Sequence, residues 1–253
     1  QLFICSLSTY EKDMWIVLTV TGFFAATLSA TIGMAGGTFL LAVMLVAGLT
    51  PFAAIPLHAA VQLFSNGTRG VVFREHLRWK PLVIFLIFMV PGPFIGLSLF
   101  NDLPTATVTI LLAVFVFYAT WAPKWGLDRL PENVAFGIAG VLCGLLGVVI
   151  GAVGPVLAPF FLRGSFSKEE LIGTKALCQC GTHLVKIIAF ASFPTAALQQ
   201  WELLPPLAIA VILGTFLGKK LLSRLSEGRF TFIYKMVLTL LALKLLHTGV
   251  TGG

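Results

Sequence analysis

The sequence predicts an all-α, polytopic transmembrane helical protein: two inverted repeats, each a glycine-broken or re-entrant helix pair plus three spans. Three observations predict it. Hydrophobic residues make up 58% of the chain and charged residues 11%, with a mean hydropathy of +0.98; a soluble domain is about a quarter charged. Apolar runs recur at 15–32, 81–100, 104–121, 134–150, 203–222 and 230–246. Each approaches the roughly 20 residues that cross a bilayer. They are continuous rather than alternating, which argues against a spanning β-barrel. Finally, one pattern of glycines and polar residues occurs twice, the signature of an internal repeat.

The repeat sets the organisation. IGMAG at 32–36 resembles IGAVG at 150–154. After a one-residue gap, Thr50 matches Ser167, His58 matches Lys175 and Gln62 matches Gln179. Ser65 then matches Thr182, Asn66 matches His183 and Arg69 matches Lys186. The chain divides into a first membrane repeat (1–122), a cytoplasmic linker (123–132) and a second membrane repeat (133–253).

Each half reads as five segments. An apolar run comes first and ends in a glycine break. A short apolar segment follows, 38–47 or 156–162, too short to span alone. The third segment is a helix with a polar stripe. Two plain hydrophobic spans close each half, joined at 101–104 and 226–229.

Loop charges orient the chain. Arg74, Arg78, Lys80, Lys124, Arg129, Arg163, Lys168, Lys219, Lys220, Arg224 and Arg229 fall on one side; the opposite loops carry only Lys12. Cation-rich short loops mark the cytoplasmic face. An odd number of segments per half then inserts the two copies in opposite senses, an arrangement used by secondary transporters. The residues before Asp13 lack the positive stretch of a signal peptide. The expected location is the cell (inner) membrane, multi-pass.

The glycine breaks, Gly33, Gly36 and Gly37 in one half and Gly151 and Gly154 in the other, interrupt apolar runs near mid-depth. Irregular backbone is tolerated there only against protein or a water-filled cavity. A short helix begins near Thr38 and another near Val156, with Thr38 and Pro155 suited to first positions. Their N-terminal N–H groups and positive dipole ends suit an anion. Small residues that permit close helix packing are the plainer explanation, but it accounts less well for two matching breaks.

The stripes come next. Lys175, Gln179, Thr182, His183 and Lys186 share one helical face, as do His58, Gln62, Ser65, Asn66 and Arg69. Cations on an apolar helix are costly unless they face a cavity or partner. Snorkelling would place Arg69 and Lys186 at the interface; it accounts less well for Lys175. The amides and hydroxyls could serve as glue between helices, yet their repetition on the cation face favours a path lining. His58 and His183 are the candidates for proton coupling.

All ten acidic residues lie in loops or at segment ends. A cation path or carboxylate relay needs one at depth, so the stripes suit an anionic ligand whose oxygens accept hydrogen bonds. The +7 net charge sits in short loops without interleaved aromatics, so nucleic acid is not an expected partner. Cys178 and Cys180 are two apart and point to different faces, a poor metal or disulfide pair. No HExxH, GxSxG or P-loop pattern is present, and two histidines are too few for a catalytic metal. No enzyme activity, cofactor or metal is expected.

SATIGMAGGTFLL (29–41), TPFAA (50–54) and SNGTRG (65–70) before a basic loop make the sequence resemble the TauE/SafE family of sulfite-exporter-like permeases. GLLGVVIGAVGP (144–155), followed by the helix containing Gly173 and Lys175, fits as well. Met34 and Ala35, where more glycine is expected, and His58, where Thr or Ser is commoner, depart from the family pattern. The resemblance implies export of sulfite or an organosulfonate such as sulfoacetate by alternating access. It carries the five glycines onto a broken-helix site and Arg69 onto the family's basic position. The expected partners are a small anionic substrate and the lipid bilayer, with a homodimer left open. An anion channel, or a membrane thiol-relay protein using Cys178 or Cys180, is the alternative.

Overall fold

The computed structural model describes residues 9–32, 36–121, 129–163, 165–192, 201–221 and 227–251. Among these residues there is helix and no strand. The helices are α1 (Thr9–Ile32), α2 (Gly36–Val46), α3 (Pro51–Val72), α4 (Trp79–Met89), α5 (Gly92–Asn101), α6 (Thr105–Trp121), α7 (Glu132–Ile150), α8 (Gly154–Phe161), α9 (Lys168–Ala191), α10 (Leu204–Leu221) and α11 (Glu227–Thr251).

Four stretches among the described residues are long and apolar enough to cross a membrane: Asp13–Thr31, Trp79–Ser98, Glu132–Ile150 and Trp201–Leu221. The protein is a multi-pass membrane protein. Helices α3 and α9, at 22 and 24 residues, have the length but not the hydropathy, because each carries a polar face. That face is buried, while large apolar side chains such as Ile16, Phe24, Ile87 and Leu240 lie on the outside. The pattern suits a lipid solvent, in which polar groups must be satisfied internally.

Helix ends follow local chemistry. Ser167 caps α9: its hydroxyl accepts from the Glu170 N–H at 3.2 Å, and the Glu170 carboxylate accepts from the Ser167 N–H at 2.8 Å, a capping box. The two short helices start at Gly36 and Gly154, two residues before the expected Thr38 and Val156. Pro155 takes one of the first positions of α8, where its missing N–H costs nothing.

One span differs from expectation. The run 81–100 is two helices, α4 and α5, broken at Val90 and Pro91. Proline cannot donate and its ring crowds the preceding turn. The two pieces pack on a glycine face of α7, where a Cβ at Gly140 or Gly144 would press on the Phe85 or Met89 carbonyl. Small residues allow this backbone approach.

Packing partners reveal the helix directions. Gly214 lies at Phe23 and Gly218 at Thr27, so α1 and α10 run parallel. Gly140 lies at Phe85 and Gly144 at Met89, so α4 and α7 run parallel. By contrast, Gly67 lies by Cys180 and Gly70 by Leu177, so α3 and α9 run antiparallel. Gly249 lies by Ala106, and the Trp121 indole donates to Thr239 at 3.0 Å, so α6 and α11 are antiparallel too.

The buried apolar residues form two clusters. One includes Leu18, Leu41, Ile55, Leu112, Leu207 and Leu238. The other includes Phe85, Phe136, Leu157, Phe161 and Cys178. Helices α3 and α9 carry most of the buried polar groups, among them His58, Gln62, Asn66, Arg69, Lys175, His183 and Lys186.

Candidate functional site between the two striped helices

The α3 and α9 stripes meet. The rings of His58 and His183 contact edge to face, with centroids 5.6 Å apart. Around them is a cavity of about 10 Å³, room for roughly one water. Its lining includes Gly37, Thr38, His58, Gln62 and Arg69 from the first half and Gly154, Lys175, Gln179 and His183 from the second. Each half brings a glycine against its own glutamine: a Cβ at Gly37 would touch the Gln62 amide, and one at Gly154 would touch Gln179 Nε2. The first turns of α2 and α8 therefore open onto this space.

Arg69 is buried and held by its own helix and by α1. Its Nε donates to the Ser65 carbonyl and one terminal nitrogen to the Ser29 carbonyl, both at 3.5 Å; the other donates to Asn66 Oδ1. Asn66 Nδ2 in turn donates to Gln62 Oε1 at 3.4 Å. This chain orients the Gln62 amide and the guanidinium together. Lys175 is also buried and lines the cavity from α9. Among the described residues, no carboxylate lines it. Two cations with no lining anion make a site of positive potential, whose burial favours a negative ligand.

Three buried polar atoms on this lining have no hydrogen-bond partner: Thr38 Oγ1, His58 Nδ1 and His183 Nδ1. The other His58 nitrogen, Nε2, lies 2.9 Å from the Gly37 carbonyl. Orphaned buried polar atoms are rare and call for an explanation. A water in the cavity, displaced by a ligand that visits it, provides one.

The remaining expected residues lie elsewhere. Gly33 is outside the described residues. Gly36 is spent on packing, since a Cβ there would collide with the Ala25 carbonyl of α1. Gly151 stands at φ +67°, ψ −51°, and the Ala152 N–H donates back to the Ile150 carbonyl at 2.6 Å. That is a γ-turn of the strained form, and it ends α7. The Lys186 ammonium donates to the Gly151 carbonyl at 2.6 Å. Lys186 and Arg69 are both buried, so neither snorkels. Thr182 bonds back to the Cys178 carbonyl, and Ser65 and Asn66 support Arg69 from behind. Val156 packs in the second apolar cluster. Cys178 is in that cluster as well, and Cys180 faces Gly67; neither thiol lines the cavity.

The duplicated glycine breaks, the paired stripes and the multi-pass helical fold all belong to one kind of protein. Residues 18–245, nearly the whole chain, match the family model described as "Sulfite exporter TauE/SafE". The chain belongs to this family of membrane transporters. This TauE/SafE chain is also similar to the "Probable membrane transporter protein ORF9" of a Sinorhizobium species. The two are 23% identical over 240 residues, covering 90% of this chain and 89% of that protein. No solved structure matches the chain significantly.

Three lining residues of the TauE/SafE chain escape a reading of the stripes: Ser29, Ala152 and Val153. Ala152 and Val153 lie inside the second break and could have been taken with it. Ser29 stands one turn before the first break, on a helix with no stripe. A small polar residue at that place was the available signal.

Proposed function

We propose that this protein exports a small sulfur oxyanion, sulfite or an organosulfonate, by alternating access of two inverted repeats. The observation that carries the reading is Arg69 and Lys175, from opposed helices, on one buried cavity with no carboxylate among its described lining residues. The description of the family, a sulfite exporter, supports the substrate class. Oxyanion oxygens accept from guanidinium, ammonium, amide and helix N-terminal N–H groups, all of which converge here.

Helix directions support inversion. The stripe helices matched by the sequence repeat, α3 and α9, are antiparallel, and so are α6 and α11, the last spans of the two halves. The cross-pairs α1–α10 and α4–α7 correspond to each other when the halves are exchanged. A two-fold axis in the membrane plane generates both relations, as in other inverted-repeat transporters. The cavity admits about one water, so an anion of sulfite size enters only after neighbouring elements shift. That favours a carrier over a channel, which needs a continuous wet path. His58 and His183, in contact at the centre, are the groups through which proton movement would be coupled.

The test is sulfite flux in proteoliposomes. Saturable flux, reduced at least about tenfold by Lys175→Met, supports the carrier. Ohmic anion current, or flux unchanged by that substitution, contradicts it.

A further inference from the structure

A neutral imidazole has one N–H and one bare lone pair. The Gly37 carbonyl can only accept, so the 2.9 Å contact assigns the N–H of His58 to Nε2. Nδ1 then holds the lone pair. It is buried and has no partner. It lines a cavity together with three groups that can donate, Arg69 from its own helix and Lys175 and Gln179 from α9, and with His183, whose own Nδ1 is unpartnered. A ligand made only of acceptor oxygens satisfies those donors and leaves the His58 lone pair orphaned, which weakens its binding.

We infer that the site selects monoanions that carry their own hydrogen-bond donor, an O–H or N–H that His58 Nδ1 accepts. The class includes hydrogen sulfite and hydroxysulfonates; it excludes sulfoacetate, whose second group is an acceptor when ionised. This selectivity rests on the anion-site reading above. It makes His58 a specificity-determining residue, with Arg69 and Lys175 supplying the charge recognition common to all sulfonates. Sites built to hydrogen-bond a substrate hydroxyl discriminate strongly against the analogue lacking it.

The test compares 2-hydroxyethanesulfonate with ethanesulfonate, equal in charge and differing by one hydroxyl. Both are titrated calorimetrically into the purified full chain in detergent at one pH. The hydroxylated ligand is expected to bind about tenfold tighter or better. His58→Gln places a donor near the Nε2 position and removes the Nδ1 lone pair. It should erase the difference between the two ligands. Equal binding of the two ligands to the unaltered protein overturns the inference, and so does a difference that survives in His58→Gln. The comparison on the unaltered protein decides the matter even where the variant fails to fold. Binding of neither sulfonate would remove the anion site itself, and donor selectivity with it; equal binding removes the selectivity alone.

Discussion

The Lys186 ammonium ties α9 to the backbone break after α7, donating to the Gly151 carbonyl across 2.6 Å. The carbonyl belongs to a residue in the left-handed region, so a cation in one stripe secures the kink that ends the neighbouring helix. Lys186→Met should therefore cost about 1–3 kcal/mol of stability, the expense of an unpaired buried carbonyl. Thermal unfolding in detergent reads this. Anion affinity should fall less in Lys186→Met than in Lys175→Met, because only Lys175 lines the cavity.

Gly151→Ala probes the same kink from the backbone. An L side chain at φ +67° is strained, and its Cβ would also meet Leu41. A destabilisation of about 1–3 kcal/mol is expected from the strain, seen as a lowered unfolding temperature. An unchanged unfolding temperature would show that the γ-turn is dispensable.

Asn66 and Arg69 offer a prediction with opposite signs for two readouts. Asn66→Asp places a carboxylate against the guanidinium that now donates to Asn66 Oδ1. The new ion pair neutralises the cation, so sulfonate binding should fall by at least about tenfold, while the unfolding temperature holds or rises. Asn66→Ala should weaken both, since Arg69 and Gln62 lose their common tether. Calorimetry and thermal unfolding on the two variants separate these outcomes.

Arg78 serves as the charge control. It pairs with Glu132 at 3.1 Å and sits over the Phe166 ring, away from the cavity. Arg78→Ala should leave sulfonate affinity within about twofold, since a partly exposed ion pair contributes little. A loss equal to that of Lys175→Met would indicate that net positive charge, rather than a built site, attracts the anion.

How far these features could be read from sequence depends on what each one needs. Helical periodicity placed Lys175, Gln179 and His183 on one face, and the structure gives them to one cavity. Periodicity reports face but not depth. Lys186 shares that face yet lies farther along α9, at the level of Gly151, where it serves the backbone. The first stripe splits in the same way: His58, Gln62 and Arg69 reach the cavity, and Asn66 works one step behind them. The break at Pro91 lies within an apolar run whose composition suits an unbroken span; proline geometry overrides it. The pairing of α1 with α10 and of α4 with α7 joins different halves of the chain, and no local pattern encodes it. Gly36 illustrates a right residue with a different duty, closing α2 onto α1.

The most direct test of the anion site is calorimetric titration of 2-hydroxyethanesulfonate into the unaltered protein and into Lys175→Met, both folded in detergent. Loss of one charge-assisted contact is worth about 1.5–3 kcal/mol, so the account predicts that affinity falls by at least about tenfold. Equal affinities in the two proteins would contradict it.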